Sequence, residues 1–173
     1  VEMRYALAVM TLLLPALIGL ILVRVELVTA VFAGAYAAQA DLLPWIAIAV
    51  VMGALRCAVL DTGLYREGRT RALLRNVTIS AFVNVTVNAL YVPRYGVTAA
   101  IAAALISQSL ALFLAWRASR DIIAWRIPRV QFERVVFCCV ALAFALLLLP
   151  GEFAFVAKVA VGAFVYVGAL LLV

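Results

Sequence analysis

The chain has 173 residues, 69% of them apolar, and a mean hydropathy of +1.23, several times more hydrophobic sequence than one soluble core of this length would use. That excludes an ordinary soluble domain and points to a multi-span membrane protein. The net charge of +6 calls for no nucleic-acid partner, because the arginines gather in short connections where they favour an anionic inner leaflet.

A hydrocarbon core of about 30 Å takes roughly 20 apolar residues per helix. Six windows qualify: 5–23, 42–60, 72–92, 97–116, 133–149 and 153–173. The chain opens on Val1 and closes on Leu170–Val173 without a polar tail, so it reads as cut at both ends. Its first apolar run lacks the small-residue cleavage site of a signal peptide and is followed by further spans. This first window contains Thr11 and Pro15, and a proline there predicts a kink, since the carbonyl one turn earlier loses its donor. The connection 24–41 offers only Arg24, Glu26 and Asp41.

The second window starts on Pro44, which costs little in a first helical turn. About three turns in lies Arg56, a charge that costs about 2.5 kcal/mol or more inside a bilayer unless it pairs, faces water or snorkels. Met52, Gly53, Val59 and Leu60 occupy the positions three and four residues away, so no ideal intrahelical ion pair is available. Asp61, five residues on, falls on a different face of an α-helix. Arg56 is therefore a candidate cation for an anionic substrate, with snorkelling or an imperfect pair with Asp61 as the plainer reading.

The third and fourth windows form a hairpin around Val92-Pro93-Arg94-Tyr95-Gly96. Pro93 cannot donate a backbone hydrogen bond and Gly96 tolerates positive φ, so one helix is expected to stop and the next to start within about five residues. On the first arm Asn76, Ser80, Asn84 and Asn88 recur every fourth residue, a polar stripe that lipid would not tolerate. The second arm carries Ala99, Ala103, Ser107, Ala111 and Ala115 at the same interval, a small face suited to close backbone approach, with Leu112 expected to face lipid. Asn84, Asn88 and Gln108 are candidate substrate contacts. Their plainer reading is helix-to-helix hydrogen bonding, with Gln108 as a partner for the asparagines.

Orientation follows from the arginines. The connection 63–75 holds Arg66, Arg69, Arg71 and Arg75, and the connection 117–134 holds Arg117, Arg120, Arg126, Arg129 and Arg134. Both are expected to be cytoplasmic. The alternate connections hold Arg24 and Arg94, with Lys158 near the last outer turn. Tyr5, Trp45, Tyr91, Tyr95 and Trp116 suit interfacial belts. Cys57, Cys138 and Cys139 read as apolar filler in spans, and the chain has no histidine. No Walker A, zinc or Gly-x-Ser-x-Gly pattern occurs, so no cofactor, metal or catalytic residue is expected.

The run Asn84, Asn88, Pro93, Gly96 and then an Ala-rich helix with Ser107 and Gln108 resembles the C-terminal region of polysaccharide biosynthesis proteins, the Wzx-type lipid-linked oligosaccharide flippases. Their superfamily also holds lipid II flippases and MATE multidrug exporters. Leu14-Pro15 to Gly19 with Val31-Phe32-Ala33-Gly34 resembles a helix of that region and its exit loop, and Gly63-Leu64-Tyr65 with Gly68-Arg69-Thr70 resembles a cytoplasmic turn. The resemblance covers roughly Arg4 to Arg120. It implies an all-α integral membrane protein of the inner membrane, with about six transmembrane helices forming part of the C-terminal lobe of a 12–14-helix transporter. Residues 1–130 would be flippase helices and 131–173 two further spans, and the N-terminal lobe and the first two helices of this lobe would lie upstream. The implied activity is alternating access to an undecaprenyl-diphosphate-linked oligosaccharide, with the bilayer as the other partner. Multidrug export and lipid II flipping stay open as alternatives. A membrane glycosyltransferase or polysaccharide polymerase is a different class, for which the acidic and basic content of the outer connections is thin.

Overall fold

The computed structural model describes residues 2–32, 37–122, 129–148 and 155–172, all of whose regular elements are helical, with no strand among the described residues. In chain order these are α1 (Glu2–Leu22), α2 (Arg24–Phe32), a 3-10 turn (Ala37–Leu42), α3 (Leu43–Leu55), a π-helical turn (Arg56–Asp61), α4 (Thr62–Arg66), α5 (Thr70–Tyr95), α6 (Val97–Ser119), α7 (Arg129–Leu148) and α8 (Phe155–Leu172). Among the described residues three stretches are long and apolar enough to cross a membrane: Gln39–Arg66, Thr70–Tyr95 and Val97–Ser119. A fourth is gained if α1 and α2, bent by 76° at Val23, count as one broken span. The molecule is an all-α, membrane-associated protein.

Two compact units share the chain. The first joins Val1–Val9 to Trp45–Arg126, and the second joins Met10–Pro44 to Ile127–Val173. In the first, α5 and α6 make the most extensive helix pair. Asn76 and Ser80 of α5 are buried while Phe82, Val85 and Leu90 point outward, an arrangement that suits a hydrocarbon surrounding and would be costly in water. At 23 residues, α6 is about 34 Å long, enough for the hydrocarbon core. Leu60 and Ala115 pack together with Val59, Leu112 and Ile122, seating the α3–α4 stretch on α6. Leu112 thus belongs to an internal contact, and the lipid-facing position expected of it falls instead to Phe113, which is exposed.

The turns follow local chemistry. After α4, Gly68 at φ +68° accepts the left-handed conformation, its N–H donates to Tyr65 O, and the Arg69 N–H donates to Leu64 O. Those two bonds are a Schellman cap. Between α5 and α6 the chain reverses on Gly96 alone, at φ +60° and ψ −139°, a region glycine enters without steric cost. The expected stop at Pro93 is moved: α5 runs through Pro93 to Tyr95, because a proline in the last turn forfeits one bond only.

In the second unit, α7 packs on α8 so closely that a Cβ on Gly162 would lie 3.1 Å from Leu142 Cδ1 and 3.3 Å from Leu146 Cδ2. Val23, at the α1–α2 bend, is buried against Leu142 and Leu146. α1 continues through Pro15, and a sharp break comes at Val23. The Tyr166 hydroxyl donates at 2.6 Å to Thr11 O, the carbonyl to which Pro15 has no N–H to give. At the break, Arg24 Nη1 donates to Ile21 O at 3.1 Å. Arg24 to Phe32, expected as part of a loop, are helical, and the Ala33-Gly34 part of the expected exit loop lies outside the described residues.

Candidate functional site

The polar groups inside the first unit fall into two sets. The first is the α5–α6 seam. Ala99, Ala103, Ser107, Ala111, Ala115 and Ser119, every fourth residue of α6, are all buried. This is the expected small face, one residue longer at its end. Asn84 Nδ2 donates to Ser107 Oγ at 2.9 Å, and the Ser107 hydroxyl donates in turn to Ala104 O at 3.0 Å. Asn88 Nδ2 donates to both Asn84 O and Asn84 Oδ1 at 2.9 Å. The asparagines therefore bond to one another and to the facing helix, the arrangement that satisfies amides in hydrocarbon.

Gln108 does not join them. Its amide faces α3, where a Cβ on Gly53 would meet Gln108 Oε1 at 3.2 Å, and that oxygen is buried without a hydrogen-bond partner. Ile46, Ala49, Val50, Val97, Ala100, Ile101 and Ala104 line a cavity of about 360 Å³ with it. Asn76, 2% exposed, likewise has neither amide atom bonded. The antiparallel register set by Gly96 explains this. Counting outward from the turn in steps of four, Asn84 meets Ser107, but Asn76 comes opposite Ala115, which offers no polar atom.

The second set is built on the π-helical turn. Five residues advance an α-helix by about 500°, leaving two side chains some 140° apart, whereas a π-turn brings residues i and i+5 into line. Arg56 and Asp61 thereby meet, with Nε 3.2 Å from Oδ2, and only 14% and 15% of their side chains are exposed. The α-helical expectation that these residues lie on different faces is overturned by the local widening. The contact is an ion pair without hydrogen-bond geometry: the Arg56 Nε–H has no acceptor, and Nη2 donates to Cys57 Sγ at 3.4 Å. Thr62 Oγ1 donates to Cys57 O at 3.0 Å, tying the widened turn to the helix that follows.

Basic residues gather at the end of this unit away from Gly96. Arg66, Arg69 and Arg71 flank the α4–α5 turn, Arg117 and Arg120 close α6, and Arg69 Nη1 donates to Ala118 O at 3.3 Å, a cation on the negative end of the helix. Around Gly96 lie Arg94 and the ring pair Tyr91–Tyr95, centroids 6.3 Å apart. Such an asymmetry is what the positive-inside rule describes for helices that cross a membrane.

Sequence reasoning missed two ion pairs in the second unit. Lys158, 6% exposed, bonds through Nζ to Glu26 Oε1, and Arg24 pairs with Asp41 at 3.1 Å. A lone lysine inside the apolar run of α8 was the available signal; its partner 132 residues away was not legible. Lys158 borders a cavity of about 360 Å³ with walls that include Pro15, Gly19, Leu142 and Gly162. Among the described residues no group of three His, Cys, Asp or Glu side chains comes together as a metal site. Comparison with protein-family models, curated proteins and solved structures finds nothing that matches the chain.

Proposed function

We propose that this chain supplies helices of one lobe of a flippase that moves an undecaprenyl-diphosphate-linked oligosaccharide across the cytoplasmic membrane by alternating access. In this reading all six apolar segments span the inner membrane, and the lipid tail stays in the bilayer while the polar head passes through a cavity between two lobes. The observation that carries it is Arg56: a guanidinium well inside a candidate span, still partly exposed, and lacking a hydrogen-bonded carboxylate. A diphosphate is a natural ligand for such a group, since its oxygens match the guanidinium fork and the attraction strengthens at low dielectric. Asn84, Asn88 and Gln108 are half-buried polar groups of the same unit. Of these, Gln108 has the stronger claim to a substrate, because its oxygen is unpaired.

The test is export of surface glycan in a strain lacking its own flippase, normalised to protein in the membrane. Arg56→Ala should abolish export with insertion intact, and Arg56→Lys should retain part of it, because the charge remains while the fork is lost. Full export by Arg56→Ala would remove Arg56 from the substrate path and leave the transport reading without its main support.

A further inference from the structure

We propose that Asp61 is the resident counter-ion of the substrate site: the anionic head of the substrate displaces its carboxylate from Arg56 on binding, and the carboxylate returns on release. The proposal rests on the flippase reading above and adds to it a second residue with a distinct role.

Three observations carry it. First, the pairing exists only because the helix widens over Arg56–Asp61, and the Thr62 hydroxyl bonded to Cys57 O holds that widening in place. π-turns are rare and concentrate at functional sites. Second, the pair is close but poorly bonded. With Nε 3.2 Å from the carboxylate and no hydrogen bond formed, and with a thiol as the acceptor for Nη2, a guanidinium with five donors is left short of good acceptors. A diphosphate can offer the in-plane, two-point contact that Asp61 does not. Third, both side chains keep an exposed edge, so a ligand can approach Arg56 without unpacking the helix.

The exchange solves a problem particular to a carrier in lipid. An arginine that binds a substrate anion must also survive in the empty protein, where an unpaired charge is costly. An internal carboxylate that does not hydrogen-bond the guanidinium neutralises it in the empty state and yields to a better-shaped anion in the loaded one. Asp61 is in this sense a positioning residue that tunes affinity and release.

The experiment measures binding of undecaprenyl diphosphate to the purified full-length protein in lipid nanodiscs, alongside glycan export in cells. Asp61→Asn should bind about tenfold tighter than the wild type, equivalent to about 1.4 kcal/mol, and export more slowly because release is retarded. Arg56→Ala and Arg56→Ala/Asp61→Asn should both lose the binding. A purely structural ion pair predicts reduced yield with unchanged affinity, so wild-type affinity in Asp61→Asn overturns the proposal while leaving the transport reading in place. If the wild type itself binds no undecaprenyl diphosphate, both fall. A second measurement needs no substitution. Cys57 is exposed and lies against Arg56, so saturation with undecaprenyl diphosphate should slow its labelling by an anionic thiol reagent severalfold. Unchanged labelling with lipid bound would place the ligand elsewhere and overturn the proposal.

Discussion

Tyr166 and Pro15 offer a double-mutant test of how α1 tolerates a proline. Pro15 has no N–H for Thr11 O, and the Tyr166 hydroxyl fills that vacancy at 2.6 Å. Tyr166→Phe keeps the ring and removes this donor from Thr11 O; losing a buried hydrogen bond costs about 1 to 3 kcal/mol. Hydrogen bonds between helices in membranes run lower, about 0.6 kcal/mol on average. About 1 to 2 kcal/mol is the reasonable expectation, a five- to thirty-fold fall in the folded-to-unfolded ratio. Pro15→Ala restores a main-chain donor to Thr11 O and makes the hydroxyl redundant, so Tyr166→Phe should cost little in that background. The assay is reversible denaturation in mixed micelles for the wild type, the two single variants and the double variant. An equal cost for Tyr166→Phe with and without Pro15 would refute the compensation and leave the hydroxyl as an ordinary surface group.

The small face of α6 predicts that Ala103→Leu, at a position with no exposure, lowers stability by about 1 to 3 kcal/mol through overpacking. The same change at the adjacent exposed Ala102 should be silent; equal thermal stability of the two in detergent would show that the seam does not pack. Ala115→Ser should have the opposite sign. It places a hydroxyl across from the unbonded Asn76 amide and should raise the denaturation midpoint by an amount equivalent to about 0.5 to 1.5 kcal/mol, and a fall in that midpoint would mean the pocket has no room for the oxygen.

What could be read in advance was whatever repeats at short range. The fourfold spacing of small residues on α6 and of polar residues on α5 located a real seam, because on a helix that interval is a spatial neighbour relation. The hairpin was legible too, though Gly96 rather than Pro93 makes the reversal, since the positive φ is what ends the helix. The pairing of Arg56 with Asp61 was foreseen as the plainer reading, but their placement on different faces was not right, because helical angle counting assumes an α-helix throughout and one π-turn rephases every face beyond it. The Glu26–Lys158 and Thr11–Tyr166 contacts join residues more than 130 positions apart, and no local periodicity encodes such a meeting. Arg56 was found by its charge in an apolar span, while the orphaned amides of Asn76 and Gln108 needed a register to be seen.

The one-residue reversal at Gly96 also bears on how this part of the chain is made. Of the three candidate spans among the described residues α5 is the least apolar, and if it crosses a membrane its Asn84 and Asn88 would enter lipid unshielded on leaving the translocon alone. With no linker beyond a single glycine, α6 emerges immediately behind it and brings both the serine that receives Asn84 and the alanines that exclude lipid from the seam. The two helices are thus suited to partition as a preformed couple, the second acting as an insertion partner for the first. Lengthening the turn with flexible residues would then impair biogenesis even where every contact of the finished fold can still form.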